Sequence, residues 1–146
     1  MLADNLKTLL ASSFSLYLKA TNFHWNVEGS NFPQYHDFLG DFYSDIYGTV
    51  DTIAEYIRAL DAYAPGSLTR FQELTLIKDQ TMQLNSPEQF SELLADSEIL
   101  LEFLNKTFAV ATLENQQGIA NFVAERIDAM QKHNWMLRSI LKTSKV

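Results

Sequence analysis

Apolar residues recur every third or fourth position along long stretches of this chain, and helix-breaking residues collect between those stretches rather than inside them. With five Gly and three Pro among 146 residues, that periodicity favours an all-α protein. The first helix is predicted from about Asp4 to Val27. Its residues Leu2, Leu6, Leu9, Leu10, Phe14, Leu16, Tyr17, Leu18 and Phe23 put apolar surface on more than one side. One bundle cannot bury all of that, so a partner subunit is implied. The stretch Glu28-Gly29-Ser30-Asn31 reads as a turn, and Pro33 suits the first position of a second helix running to about Tyr63. The core stripe of that helix is Leu39, Phe42, Ile46, Val50, Ile53, Ile57 and Leu60. Its opposite stripe mixes charge with small residues: Asp37, Asp41, Ser44, Gly48, Asp51, Glu55 and Arg58.

A long connection follows Ala64-Pro65-Gly66, in which Thr69 to Gln72 reads as a capping box opening a short helix through Leu74 and Ile77. Ser86-Pro87-Glu88-Gln89 then supplies N-cap, N1 proline and capping partner for a third long helix, with the stripe Phe90, Leu94, Ser97, Leu101, Leu104, Phe108 and Ala111. Gly118 marks the break before the last helix, whose apolar set is Ile119, Phe122, Val123, Ile127, Met130, Leu137, Ile140 and Leu141. Two hairpins joined by a crossover make a ferritin-like four-helix bundle, here with a short helix in the connection between the second and third helices. Residues 1–146 read as a single domain. At that length folding removes roughly 70% of the unfolded surface from water, so a core forms without staples.

The chain has no cysteine. That rules out disulfides and thiolate chemistry, leaves His, Asp, Glu and backbone oxygen to hold any metal, and suits a reducing cytoplasm. The net charge of −7, with Lys and Arg scattered, argues against phosphate backbones and for cations as small partners. The apolar stretch from Leu9 to Leu18 is interrupted by Ser12, Ser13 and Ser15 and reads as a helix face, not a signal peptide. No run reaches the ~18 apolar residues of a membrane span.

His24 and His36 lie almost symmetrically about the turn near Ser30, so folding the first two helices side by side brings them to one level. Asp51 and Glu55 form an i,i+4 pair of like charges, which costs a few tenths of a kcal/mol in an isolated helix unless something cationic is near. From His36 to Asp51 the second helix spans roughly 22 Å at ~1.5 Å per residue, so one subunit cannot close a site over all four groups. A two-fold axis crossing that helix around Ser44 to Gly48 lays two copies antiparallel, and the small residues permit the approach. Each dimer then carries two equivalent sites with two imidazoles and two carboxylates, a set that suits iron(II) or zinc. No His has Glu three positions earlier, so the Glu-x-x-His parts of an intra-bundle di-iron centre are missing. Trp25, beside His24, is a candidate electron donor or packing wall.

These residues resemble the Dps family, the mini-ferritins. The matching text is His24-Trp25-Asn26-Val27 with Gly29, Asn31-Phe32 and His36, then Asp51-Thr52-Ile53-Ala54-Glu55. Near the end, Lys132-His133-Asn134-Trp135-Met136-Leu137-Arg138 is similar to the family's last-helix signature. The resemblance implies a homo-oligomeric hollow shell of twelve subunits. It also implies iron(II) oxidation by hydrogen peroxide or O2 at two-fold interfaces, and ferric storage inside. His24, His36, Asp51 and Glu55 match the family's ligands.

Three departures stand out. Many members carry Asp four residues after the second histidine, where this chain has Gly40, which puts a second iron position in question. Asp41, one step on, points about 100° around the helix. The acidic three-fold pores of the family correspond to Gln116-Gln117-Gly118-Ile119-Ala120-Asn121, with Glu114, Glu125 and Asp128 nearby. Members that bind DNA commonly use Lys/Arg-rich tails. Here the first helix begins almost at Met1 and the end Lys142-Thr143-Ser144-Lys145-Val146 offers two lysines, so DNA is not expected as a partner.

Overall fold

The structure is a computed structural model that describes residues 1–142. The chain forms α1 (Leu2–Asn26), α2 (Phe32–Ala59), α3 (Leu68–Leu74), α4 (Ser86–Leu113) and α5 (Gln117–Leu141), and among the described residues there is no strand. Cross-helix contacts fix the directions. Leu2 and Asn5 of α1 reach Glu114 and Thr107, and Lys19 reaches Asp96, so α1 and α4 are antiparallel. On the other side Asp45 meets Arg126 while Tyr56 packs on Phe122, so α2 and α5 are antiparallel as well. It follows that α2 and α4 run parallel, which only a long crossover allows. The connection that carries α3 is that crossover, and it lies against α1 through Phe14–Phe71 and the Leu76 N–H, which donates to Ser12 Oγ at 3.0 Å.

One buried cluster draws on all four long helices, including Leu6, Phe23, Phe42, Ile53, Phe90, Leu104, Val123 and Met130. Lys19 is buried inside this frame and pairs with Asp96 at 2.8 Å and Glu92 at 3.0 Å, tying α1 to α4. Burial pushes the Asp96 carboxyl above its ordinary value; the Lys19 charge and hydrogen bond oppose this, and Glu92 adds to it. No helix among the described residues is long and apolar enough to cross a membrane.

Several boundaries differ from the sequence expectation. The second helix stops at Ala59 rather than near Tyr63, because Asp61 turns left-handed at φ 63° and closes the end. The short helix is capped by Ser67, whose Oγ accepts from the Arg70 N–H, and not by Thr69. Asn85, not Ser86, caps α4: its side chain accepts from the Glu88 N–H, and the Glu88 carboxylate accepts from the Asn85 N–H. The break before α5 is made by left-handed Asn115, with Gly118 already inside the first turn. On α4 the buried line runs Phe90, Leu93, Ser97, Leu100, Leu104, Thr107 and Ala111, one residue away from the expected Leu94, Leu101 and Phe108. On α2, Thr49 is buried while Val50 and Leu60 lie at the edge of the core. Of the lysine-bearing tail, residues 143–146 lie outside the described residues.

Candidate metal centre

The hairpin of α1 and α2 brings His24 and His36 face to face. Their rings stack with centroids 3.7 Å apart at 17°. Each Nδ1 lies 2.7 Å from the other residue's backbone oxygen, His24 to His36 and His36 to His24. A carbonyl only accepts, so each Nδ1 carries its proton and donates. Both imidazoles are thereby held in the tautomer whose Nε2 lone pair is free, the arrangement that metal-binding histidines require of their outer partners. These carbonyls lie where the hairpin brings the last turn of α1 beside the first turns of α2. Phe32 stacks on His36 at 5.1 Å and Tyr43 meets His24 edge-on at 5.2 Å, completing an aromatic wall.

Gly40 fits closely against the pair. A Cβ at this position would sit 3.1 Å from His24 Cε1 and 3.4 Å from Nδ1, so the imidazole occupies the space a side chain would need. Asp41 is exposed one step further around α2. Trp25 is 67% exposed, and the ring contacts recorded for His24 are with His36 and Tyr43.

Asp51 and Glu55 are exposed on α2, in the half of the helix away from the histidines. Among the described residues no three His, Asp or Glu side chains of one chain converge to hold a metal ion. The helix face that carries the two carboxylates is nevertheless ordered in a way that suits a second helix. The exposed residues Asp37, Asp41, Ser44, Gly48, Asp51, Glu55 and Arg58 follow one another in alternating steps of four and three, the seam of a two-helix packing. At Gly48 an added Cβ would meet nothing within 4 Å, so nothing in its own chain requires glycine there.

A second polar group, not anticipated from sequence, joins α2 to α5. Asp45 accepts from Arg126 Nη1 at 3.1 Å and Nη2 at 2.8 Å, and lies 2.7 Å from His133 Nε2. Burial alone would raise the Asp45 carboxyl. Hydrogen bonds from His133 and Arg126, with the charges of both, outweigh it and hold the group well below the ordinary carboxylate range. In the signature-like segment around His133, Asn134 is buried and Trp135 exposed. Near the expected pore, Glu114 is engaged elsewhere: its carboxylate accepts from the Leu2 N–H at 3.1 Å, holding the start of α1.

A model of the ferritin-like domain family matches residues 3–146. Among curated proteins, the DNA protection during starvation protein of Brevibacillus brevis is 29% identical over 142 residues, covering 97% of this chain and 95% of its own. Among solved structures, the Dps protein of Vibrio cholerae O1, described as a member of a broad superfamily of ferritin-like diiron-carboxylate proteins, superposes with a TM-score of 0.92 at 27% identity. That match covers 97% of this chain and 89% of the other. Dps from Thermosynechococcus elongatus reaches a TM-score of 0.96 at 22% identity over 99% and 92% of the two chains, a likeness of fold.

Proposed function

The chain belongs to the ferritin-like domain family, among the Dps proteins, and we propose that it is a ferroxidase that stores iron in a hollow homo-oligomeric shell of this one-domain chain. Iron(II) is the substrate, and hydrogen peroxide or O2 the oxidant. The observation that carries the reading is the reciprocal pair of Nδ1–carbonyl contacts, which sets two stacked imidazoles with both Nε2 atoms free. Asp51 and Glu55 complete the site from a two-fold related subunit, since in their own chain they lie roughly 22 Å along α2 from His36. Antiparallel pairing of two α2 seams about Ser44 to Gly48 supplies that geometry, and twelve subunits close the shell.

The division of labour follows from the chemistry of the groups. Neutral imidazoles favour iron(II), and the carboxylates favour the iron(III) that oxidation leaves. His24 with Asp51 and Glu55 forms the primary position. His36 reaches a second position that lacks a carboxylate at Gly40, and this leaves one strong iron position per site. Trp25 stands beside His24 as a packing wall and a possible electron source. Zinc, with the same ligand preferences, substitutes for iron without redox chemistry.

The charge of −7 per chain disfavours contact with DNA, and the absence of cysteine suits the cytoplasm. The test compares iron(II) oxidation by peroxide in the native chain with His24→Ala and Asp51→Ala. Both substitutions are expected to slow oxidation at least about tenfold, on the scale of losing a metal ligand or its support. Equal rates in all three would remove the assigned site.

A further inference from the structure

The face shared by α1 and α2 carries more than the histidines. Tyr17 precedes His24 by seven residues on α1, and Tyr43 follows His36 by seven on α2. Two turns of helix keep each tyrosine on the side of its histidine. The rings form a continuous path: His24 to Tyr43 at 5.2 Å, Tyr43 to Tyr17 at 5.9 Å, and Tyr17 to Tyr47 at 4.6 Å. Tyr43 and Tyr17 are partly buried, while Tyr47 is 54% exposed, so the path begins at the metal centre and ends at the surface of α2.

We infer that Tyr43, backed by Tyr17 and Tyr47, is a one-electron donor to the oxidant at the His24/His36 site. The inference rests on the ferroxidase reading and adds to it the source of the second electron. Peroxide takes two electrons, and one iron(II) supplies one. The close seat of His24 on Gly40 leaves no side chain there to hold a second ion. The electron count then closes through the protein. Iron(II) gives one electron and becomes iron(III) as the O–O bond breaks, and one oxygen leaves as hydroxide. The Tyr43 phenol gives one electron and its proton to the other oxygen, which leaves as water, and a neutral tyrosyl radical remains. Without that donor the second oxygen would escape as hydroxyl radical. An electron and a proton moving from Tyr17 or Tyr47 carry the radical outward along the ring path.

The test uses shells loaded without air with one iron(II) per subunit, mixed with one equivalent of hydrogen peroxide and freeze-quenched for electron paramagnetic resonance. The expected result is a tyrosyl signal that narrows in protein grown on ring-deuterated tyrosine, which separates it from an indole radical on Trp25, and one iron oxidised per peroxide. Tyr43→Phe should lower the signal several-fold and release hydroxyl radical to a spin trap, with shell size unchanged. Tyr56→Phe, outside the path and packed on Phe122, should leave the signal as it was. Two irons oxidised per peroxide with no tyrosyl signal would overturn the inference and leave the ferroxidase intact. So would a signal undiminished in Tyr43→Phe. Iron that stays ferrous would overturn both.

Discussion

At the scale of single residues, the site is built from pairs that restrain each other. The identities of His24 and His36 and their common level were legible from their symmetry about the turn. The reciprocal bonds that fix both tautomers were not, because they depend on backbone carbonyls, which every residue has. Gly40 read as a missing ligand in sequence; in three dimensions it is also the floor on which His24 lies. Gly40→Ala should therefore separate stability from binding. Alanine is favoured in a helix by about 1 kcal/mol over glycine, so thermal stability should hold or rise, while the displaced imidazole lowers metal affinity measured by titration calorimetry. The Asp45 cluster gives a pH signature. Its folded carboxyl lies below the ordinary 3.8, so its stabilising contribution is present above that value and is lost as pH falls below it. Asp45→Asn should lower the melting temperature at neutral pH and flatten the acid limb of stability against pH below about 4. An unchanged acid limb would show that the cluster contributes nothing. Nothing in the sequence signalled this cluster, since its members lie 81 and 88 residues apart.

At the scale of the elements, all five helices were legible from periodicity and capping residues, while some ends and one face were not. Asn85 and Ser86 are both strong N-caps followed by an acid or amide three residues on. The geometry selects Asn85 because Glu88 returns its hydrogen bond. Asn85→Ala should cost about 1 kcal/mol in denaturant unfolding, whereas Ser86→Ala should cost a few tenths. On α4 the expected stripe followed the bulkier side chain at each turn. A bundle helix has two neighbours, so its apolar arc is wide and bulk does not locate its centre; Thr107 is buried and Phe108 is 39% exposed. Lys19 shows the opposite error, since a lysine reads as surface. Its ammonium is enclosed by Asp96 and Glu92, and Lys19→Ala, which leaves two acids unpaired, should cost about 3–5 kcal/mol. A loss below about 1 kcal/mol would mean that the pair is effectively solvated.

At the scale of the whole molecule, the bundle presents a functional face that is half a site. Along the α2 seam the small residues Ser44 and Gly48 sit at the centre, and Asp37, Asp41, Asp51 and Glu55 lie toward the ends. Antiparallel pairing opposes these acids across the axis, and like charges resist it unless cations intervene. Chelation at low salt should therefore loosen the assembly in native mass spectrometry, and a divalent cation should restore it. Persistence of the full assembly under chelation would contradict that link between occupancy and association. The central claim is that each site takes its histidines from one subunit and its carboxylates from another, and mixed shells test it directly. One chain carries His24→Ala with His36→Ala, the other Asp51→Ala with Glu55→Ala. Each alone should oxidise almost no iron. Co-assembled in equal amounts, half of the two-fold interfaces join unlike chains and each of those regains one intact site of two, so iron oxidation should return to about one quarter of the native level. Mixed shells as inactive as their parents would place the site within a single chain and contradict the account.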